Sequence, residues 1–169
     1  GGKVGVNHSL GKNVIGAFHQ PQFVLFDVSF LKSLPTDEVV AGYAEVIKHA
    51  LICDKRFSVW LKENSEALIS LNLEKVEEAI SRSCMVKASI VSCDEKEKGL
   101  RMILNYGHTI GHALETITKY NQYKHGEAVA IGMCAAAYLS EGLYGKHIVK
   151  DTIELLTAFR LPTQFTGLY

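Results

Sequence analysis

Leu104-Asn105-Tyr106-Gly107-His108-Thr109-Ile110-Gly111-His112-Ala113-Leu114-Glu115 is the stretch on which the reading of this chain turns. His108 and His112 are four residues apart, so on a helix they lie one above the other on the same face. Glu115 continues that row three residues on. Gly107 and Gly111 remove side chains beside both imidazoles, which lets a ligand or another backbone come close. A third histidine, His125, stands just before Gly126 and a long apolar segment able to return it to the same place. Neutral imidazole and carboxylate are the usual ligands of a catalytic zinc, which keeps one coordination position open. A histidine pair at this spacing also occurs as a plain hydrogen-bonded core pair. The third His, flanked by Gly and Glu, favours a metal site.

The chain on either side is helical in pattern. Gly126 to about Gly145 is an Ala/Gly-rich apolar helix, whose small residues permit close packing and make it the expected central helix. Ile148 to Phe159 forms a last amphipathic helix, ended by Pro162, and Lys119–Lys124 is a polar loop. On the N-terminal side, Asp94–Gly99 is a charged segment of the kind that is normally just solvated. Arg101 beyond it could aim a guanidinium fork at a phosphate or carboxylate. Asn105 could simply cap the His helix. Leu73 to about Asp94 reads as one long helix, with Val76, Ile80, Ser83, Lys87 and Ile90 near one line. Lys87 among apolar neighbours either has a partner, loses its proton or snorkels to water.

Two short helices are expected around Asn64-Ser65, carrying Phe57, Trp60, Leu61, Leu68 and Ile69. After Pro35, Thr36 suits an N-cap, with Asp37 and Glu38 in the first turn where the helix dipole favours them. Val39, Tyr43, Val46, Ile47 and Ala50 form its apolar stripe, and Glu45 with Lys48 stands on a different face, where an exposed ion pair is the plain expectation. Before Pro35, Phe30–Leu34 reads as a short helical turn and Phe23–Asp27 as the best strand candidate. Gly1–Gly16 carries five glycines and no clear period; it suits either a surface loop or a phosphate-binding one.

Composition bounds the function. The 169 residues suffice for a domain with a substantial core, and 47% hydrophobic with 21% charged residues is an ordinary soluble globular balance. Lys+Arg and Asp+Glu both total 18, so neither nucleic acid nor an anionic membrane is indicated as the main partner. Cys53, Cys84, Cys93 and Cys134 form no CxxC pair, which points to free thiols in a reducing, cytoplasmic setting. The apolar run Ala128–Leu139 is too short for a membrane span. There is no signal peptide, and a first residue of Gly rather than Met points to a piece of a longer chain.

Four stretches taken together resemble the 3-dehydroquinate synthases, within the sugar phosphate cyclases. They are GGKVGVNHSLGKNVIGAFHQPQ at Gly1–Gln22, AGYAEVIKHALICD at Ala41–Asp54, DEKEKGLRMILNYGHTIGHALE at Asp94–Glu115, and KHGEAVAIGM at Lys124–Met133. Val4 stands where the family usually has Thr, and Ser9 where Pro is common. The resemblance implies a mainly α, multi-helical metal- and substrate-binding domain at residues 36–169. Residues 1–35 would be the last loop and strand of an α/β NAD-binding domain. It assigns the zinc (or cobalt or another divalent metal) to Glu45, His108 and His125. His112 then falls in the substrate site, with Lys3, Asn13, Lys48, Lys87, Arg101 and Asn105. Lys3, Lys12 and Phe30, Leu31, Lys32 and Ser33 match a lip of the NAD site.

The reaction so implied converts DAHP, a seven-carbon phosphorylated keto acid of the shikimate route, to 3-dehydroquinate. Transient oxidation by NAD, loss of phosphate, re-reduction and ring closure are its steps. Lys48, Lys87 and Arg101 would hold phosphate and carboxylate, and His112 would bond a hydroxyl or move a proton. The family's Gly-rich dinucleotide-binding half is not in this sequence. The chain is therefore expected to have an incomplete site, little turnover and weak NAD binding alone, and to pair as a homodimer through that half. The rivals are a sister cyclase such as 2-deoxy-scyllo-inosose synthase, an iron- or zinc-dependent alcohol dehydrogenase of related fold, and a non-catalytic helical assembly module. Glu45 with Lys48 beside it argues against the dehydrogenase.

Overall fold

The computed structural model describes residues 2–9, 11–145 and 147–167, and of residues 7 and 11–13 the backbone alone. The chain opens as a β-hairpin, β1 (Lys3–His8) antiparallel to β2 (Gly11–Phe18), with Lys3 opposite Phe18 and Gly5 opposite Gly16. The loop expected at Gly1–Gly16 is thus replaced by paired strands. Val4, Val6, Val14 and Ile15 supply the β preference that the glycine count concealed. The strand expected at Phe23–Asp27 is not formed. A strand needs a partner, and the only sheet among the described residues is the hairpin, so Phe23, Val24 and Leu25 run irregularly and stay largely exposed. A 3-10 segment, Val28–Ser33, then leads to Pro35.

The body is helical: α1 (Thr36–Cys53), α2 (Lys55–Glu63), α3 (Ser65–Ile69), α4 (Leu73–Cys93), α5 (His108–Ile117), α6 (His125–Tyr144) and α7 (Val149–Ala158). A second 3-10 segment, Leu100–Asn105, joins α4 to α5. The N-cap of α1 is Pro35 rather than Thr36; the Pro35 carbonyl accepts from the Glu38 and Val39 amides. α1 is buried on more than its predicted stripe, because Ala41, Lys48 and His49 are inside along with Tyr43, Ile47 and Ala50. The exposed Glu45–Lys48 pair of the plain expectation is therefore corrected: Lys48 is only 3% exposed.

α6 is the central helix, packed on α1, α5 and α7, with Ala128, Val129, Ala130, Met133, Cys134 and Ala137 buried. Its first turn touches α1 directly. A Cβ on Gly126 would stand 1.9 Å from the Ala41 carbonyl oxygen, so only glycine permits this crossing. The main core gathers Ile47, Phe57, Leu61, Leu68, Val76, Met133, Leu156 and Phe159, all fully enclosed. Burying each such side chain stabilises the fold by roughly 1.5–3 kcal/mol. Tyr43 satisfies its hydroxyl inside this core by donating to the Leu68 carbonyl at 2.9 Å. A smaller cluster of Leu114, Ala128 and Ile131 seals α5 against α6.

The charged segment Asp94–Gly99 is folded rather than simply solvated. The Asp94 carboxylate accepts from the amides of Lys98 (3.0 Å), Gly99 (2.8 Å) and Arg101 (3.0 Å). All four cysteines are free thiols. Among the described residues, no helix is long and apolar enough to cross a membrane.

Candidate metal centre

Helix packing sets the site. Glu45 lies one turn beyond Ala41 on α1, and Ala41 is the residue that Gly126 touches on α6. His125, next to Gly126, is thereby delivered beside Glu45. Gly107 precedes α5 in the left-handed region (φ 80°), where a Cβ would also meet Met133 and the Val129 carbonyl of α6. It turns the chain so that His108, the first residue of α5, faces the same place. The space cleared beside the imidazoles by Gly107 and Gly111 is thus taken by the backbone of α6, one of the two uses the sequence left open.

The tautomers follow from the neighbours. His108 Nδ1 is 3.3 Å from the Tyr106 carbonyl oxygen, which can only accept, so Nδ1 carries the proton and Nε2 the lone pair. That Nε2 stands 3.3 Å from Glu45 Oε1, a buried oxygen without a hydrogen-bond partner among the described residues. With Nε2 unprotonated two acceptors face each other, an arrangement that a proton or a metal ion between them would satisfy. The other Glu45 oxygen accepts from Lys48 Nζ at 2.6 Å. Burial alone would raise the Glu45 carboxyl, but the Lys48 ammonium bonded to its other oxygen holds it well below the usual carboxylate range. Glu45 is ionised.

His125 Nδ1 lies 3.3 Å from Glu115 Oε2, which leaves its Nε2 as the second free imidazole nitrogen. Ligand atoms of Glu45, His108 and His125 all fall within 4.8 Å of one another. Tetrahedral zinc with bonds of about 2.1 Å needs its ligand atoms about 3.4 Å apart, a distance within reach of small side-chain adjustments. The donor set, two imidazoles and a carboxylate, fits a catalytic divalent ion. His112, Glu115 and His125 form a second group with the same spacing, so the His108–His112 row seen in the sequence divides between the two. The three imidazole rings cluster at centroid distances of 5.4 to 5.9 Å.

Of the cationic residues expected in the site, Lys48 contacts this cluster directly. Lys48 is buried, and burial pushes its ammonium below its usual range against the pull of Glu45. Lys87 is partly buried on α4 and acts electrostatically on both Lys48 and His49. Arg101 is 3% exposed, donates to the Glu95 carbonyl, and stacks over the Phe18 ring of the hairpin at 5.7 Å. Asn105 does not cap α5; its amide donates to Glu97 Oε1 at 2.6 Å, and Lys3 pairs with the other oxygen of the same carboxylate. The side chains of Lys12 and Asn13 lie outside the described residues. Phe30 is exposed, Leu31 packs on the main core and the Ser33 hydroxyl donates to the Phe30 carbonyl, with Lys32 in the last turn of the same 3-10 segment, which packs on α4.

Sequence reasoning missed Glu97 and His49. Glu97 sat in a run of charges with nothing to single it out, although it takes a left-handed φ of 55°. His49 lay outside the apolar stripe, yet it is buried with Nδ1 2.7 Å from the Ser83 hydroxyl.

Fold and donor set define a class: a helical domain that gathers two imidazoles and a carboxylate able to hold a divalent cation, with a buried lysine bonded to the carboxylate. The chain belongs to the 3-dehydroquinate synthase family. The model of the family's C-terminal part matches residues 42–168, and that of its N-terminal part matches residues 1–41. A 3-dehydroquinate synthase of Desulforamulus reducens is 49% identical over 166 residues, covering 97% of this chain and 46% of the relative. One of Geobacillus kaustophilus is 54% identical over 153 residues, covering 90% and 42%. The chain thus spans under half the length of these relatives. Among solved structures, a 2-epi-5-epi-valiolone synthase from Streptomyces hygroscopicus, with NAD+ and Zn2+ bound, superposes with a TM-score of 0.86 at 25% identity, covering 98% of this chain and 47% of that one. A 2-deoxy-scyllo-inosose synthase complexed with carbaglucose-6-phosphate, NAD+ and Co2+ gives 0.86 at 31%, covering 98% and 45%.

Proposed function

We propose that this chain is the metal- and substrate-binding part of a cytoplasmic, homodimeric 3-dehydroquinate synthase, which turns DAHP into 3-dehydroquinate with release of phosphate. The observation that carries this is the pair of facing acceptors, His108 Nε2 and Glu45 Oε1 at 3.3 Å, with His125 beside them. A divalent ion held by Glu45, His108 and His125 would supply Lewis-acid polarisation of substrate hydroxyls. NAD, held mainly by the dinucleotide-binding domain that the resemblance places before this one, would supply reversible hydride acceptance. Residues 1–35 would close that domain, with Lys3, Lys12 and Phe30–Ser33 on its lip.

The side chains do the rest. Lys48 and Lys87, on neighbouring helices, set positive charge where a doubly anionic substrate must sit, and Arg101 offers a planar fork suited to a carboxylate. Asn105 and Lys3 add donors at the hairpin side, and Asn13 joins them by the resemblance. His112 stands at the exposed edge of the ring cluster, placed to bond a hydroxyl or move a proton. The phosphate leaving group is its own candidate base for the elimination. The family relatives at about half identity favour DAHP over the sugar phosphates of the sister cyclases, whose structures match at 25% and 31%.

The test joins this chain to the N-terminal half of a relative and measures phosphate release and product from DAHP, with bound metal counted in parallel. We expect turnover that His108→Ala abolishes together with metal retention. Full activity with metal retained in His108→Ala would refute the assignment, and a carbocycle other than 3-dehydroquinate would point to a sister cyclase.

A further inference from the structure

From the geometry around His125 we infer that Glu115 is a positioning residue for the metal centre: it fixes the His125 imidazole in the tautomer and orientation that present Nε2 to the ion. The inference rests on the metal centre proposed above. His125 is the most loosely held of the three donors. It is the first residue of α6 and its side chain is 48% exposed, so packing alone leaves its ring free to turn. Glu115, by contrast, is 5% exposed on α5, and the Leu114, Ala128 and Ile131 cluster beside it locks α5 to α6. A buried carboxylate is costly without a partner. Glu115 Oε2 has His125 Nδ1 at 3.3 Å.

An ionised carboxylate only accepts, so the Nδ1 facing it carries the proton, and the lone pair is left on Nε2. The adjacent negative charge also makes that lone pair a stronger donor to a cation. The Tyr106 carbonyl plays the corresponding part for His108. Glu115 also belongs to the alternative donor group with His112 and His125, in which it would bind an ion itself. The positioning role is favoured because Glu115 is enclosed while His112 is exposed, and because its oxygen already faces the nitrogen that the other trio leaves over.

The experiment uses the chain as it stands and the metal alone as probe. Zn2+ and Co2+ affinities are measured by competition with a chromogenic chelator, with stoichiometry from elemental analysis, for wild type, Glu115→Gln and Glu115→Leu. Far-ultraviolet circular dichroism of the metal-free forms checks that each variant is folded. Nitrogen-15 NMR of the metal-free forms reads the His125 tautomer. We expect one ion per chain throughout, with affinity 10- to 100-fold weaker in both variants. We also expect the Nδ1–H tautomer to dominate in wild type and to lose that dominance in Glu115→Leu. Unchanged affinity in the folded variants would overturn the role, as would two ions in wild type falling to one on substitution, the signature of Glu115 as a ligand. A wild-type chain with no divalent-ion affinity would instead overturn the metal centre, and this role with it.

Discussion

His49 lies on the inner side of α1, 4% exposed, bonded through Nδ1 to Ser83 on α4, while its Nε2 has no hydrogen-bond partner among the described residues. Burial pushes this imidazole down from 6.5 to about 4, and the nearby Lys48 and Lys87 ammonium groups add to the effect against the opposing Glu45. The native state therefore holds His49 neutral where the unfolded chain would already be protonated. Its contribution is fully present above pH 6.5 and is lost as the pH falls towards 4. A difference of about 2.5 pH units at about 1.36 kcal/mol each amounts to roughly 3 kcal/mol once the pH is below 4, and to about 2 kcal/mol at pH 5. The total stability of a domain is on the order of 5–15 kcal/mol, so this is a large share. Urea unfolding in EDTA at pH 7.5, 6, 5 and 4.5 measures it against His49→Gln, which keeps a polar atom near Ser83 but does not titrate there. Wild type should lose about 2 kcal/mol more than the variant between pH 7.5 and 5. Equal losses in both would refute the reasoning.

Three other substitutions test local contacts: one at the helix crossing that places the site, one as its control, and one at the hairpin. Gly126→Ala drives a methyl into the Ala41 carbonyl, so it should cost about 1–3 kcal/mol or more in urea unfolding and weaken metal binding through His125; Gly142→Ala, with nothing within 4 Å, should be neutral or stabilising by up to about 1 kcal/mol. Glu97→Gln releases Lys3, whose side chain is 53% exposed, so global stability should move by less than about 1 kcal/mol, while amide exchange in the hairpin Lys3–Phe18 accelerates; unchanged exchange would show that Glu97 does not hold the hairpin.

The helical body was legible because its signals are local. The stripe through Val39, Tyr43 and Ile47, the small-residue run after Gly126 and the breaks at Pro35 and Pro162 all act within a few turns. What the sequence hid depends on a partner. Phe23–Asp27 has strand composition, yet composition cannot provide the neighbouring strand, and the glycines of the hairpin outweighed a valine pattern that only pairing makes visible. Asp94 looked like one charge among several until its carboxylate met three amides of its own loop.

The donor atoms show the same division most sharply. Spacing alone groups His108 with His112 and Glu115, because a helix places them in one row, and it gives no means of separating them. The separation is made from outside that helix. Glu45 on α1 faces His108, His125 on α6 faces Glu115, and His112 is left at the exposed edge. Those approaches depend on backbone contacts at Gly126 and Gly107, where a single methyl would push α6 away from α1 or α5. The chemistry of this row is therefore set less by its own residues than by how closely two other helices can come to it. For that reason Gly126→Ala, which alters no donor, is expected to weaken the ion as a ligand substitution would.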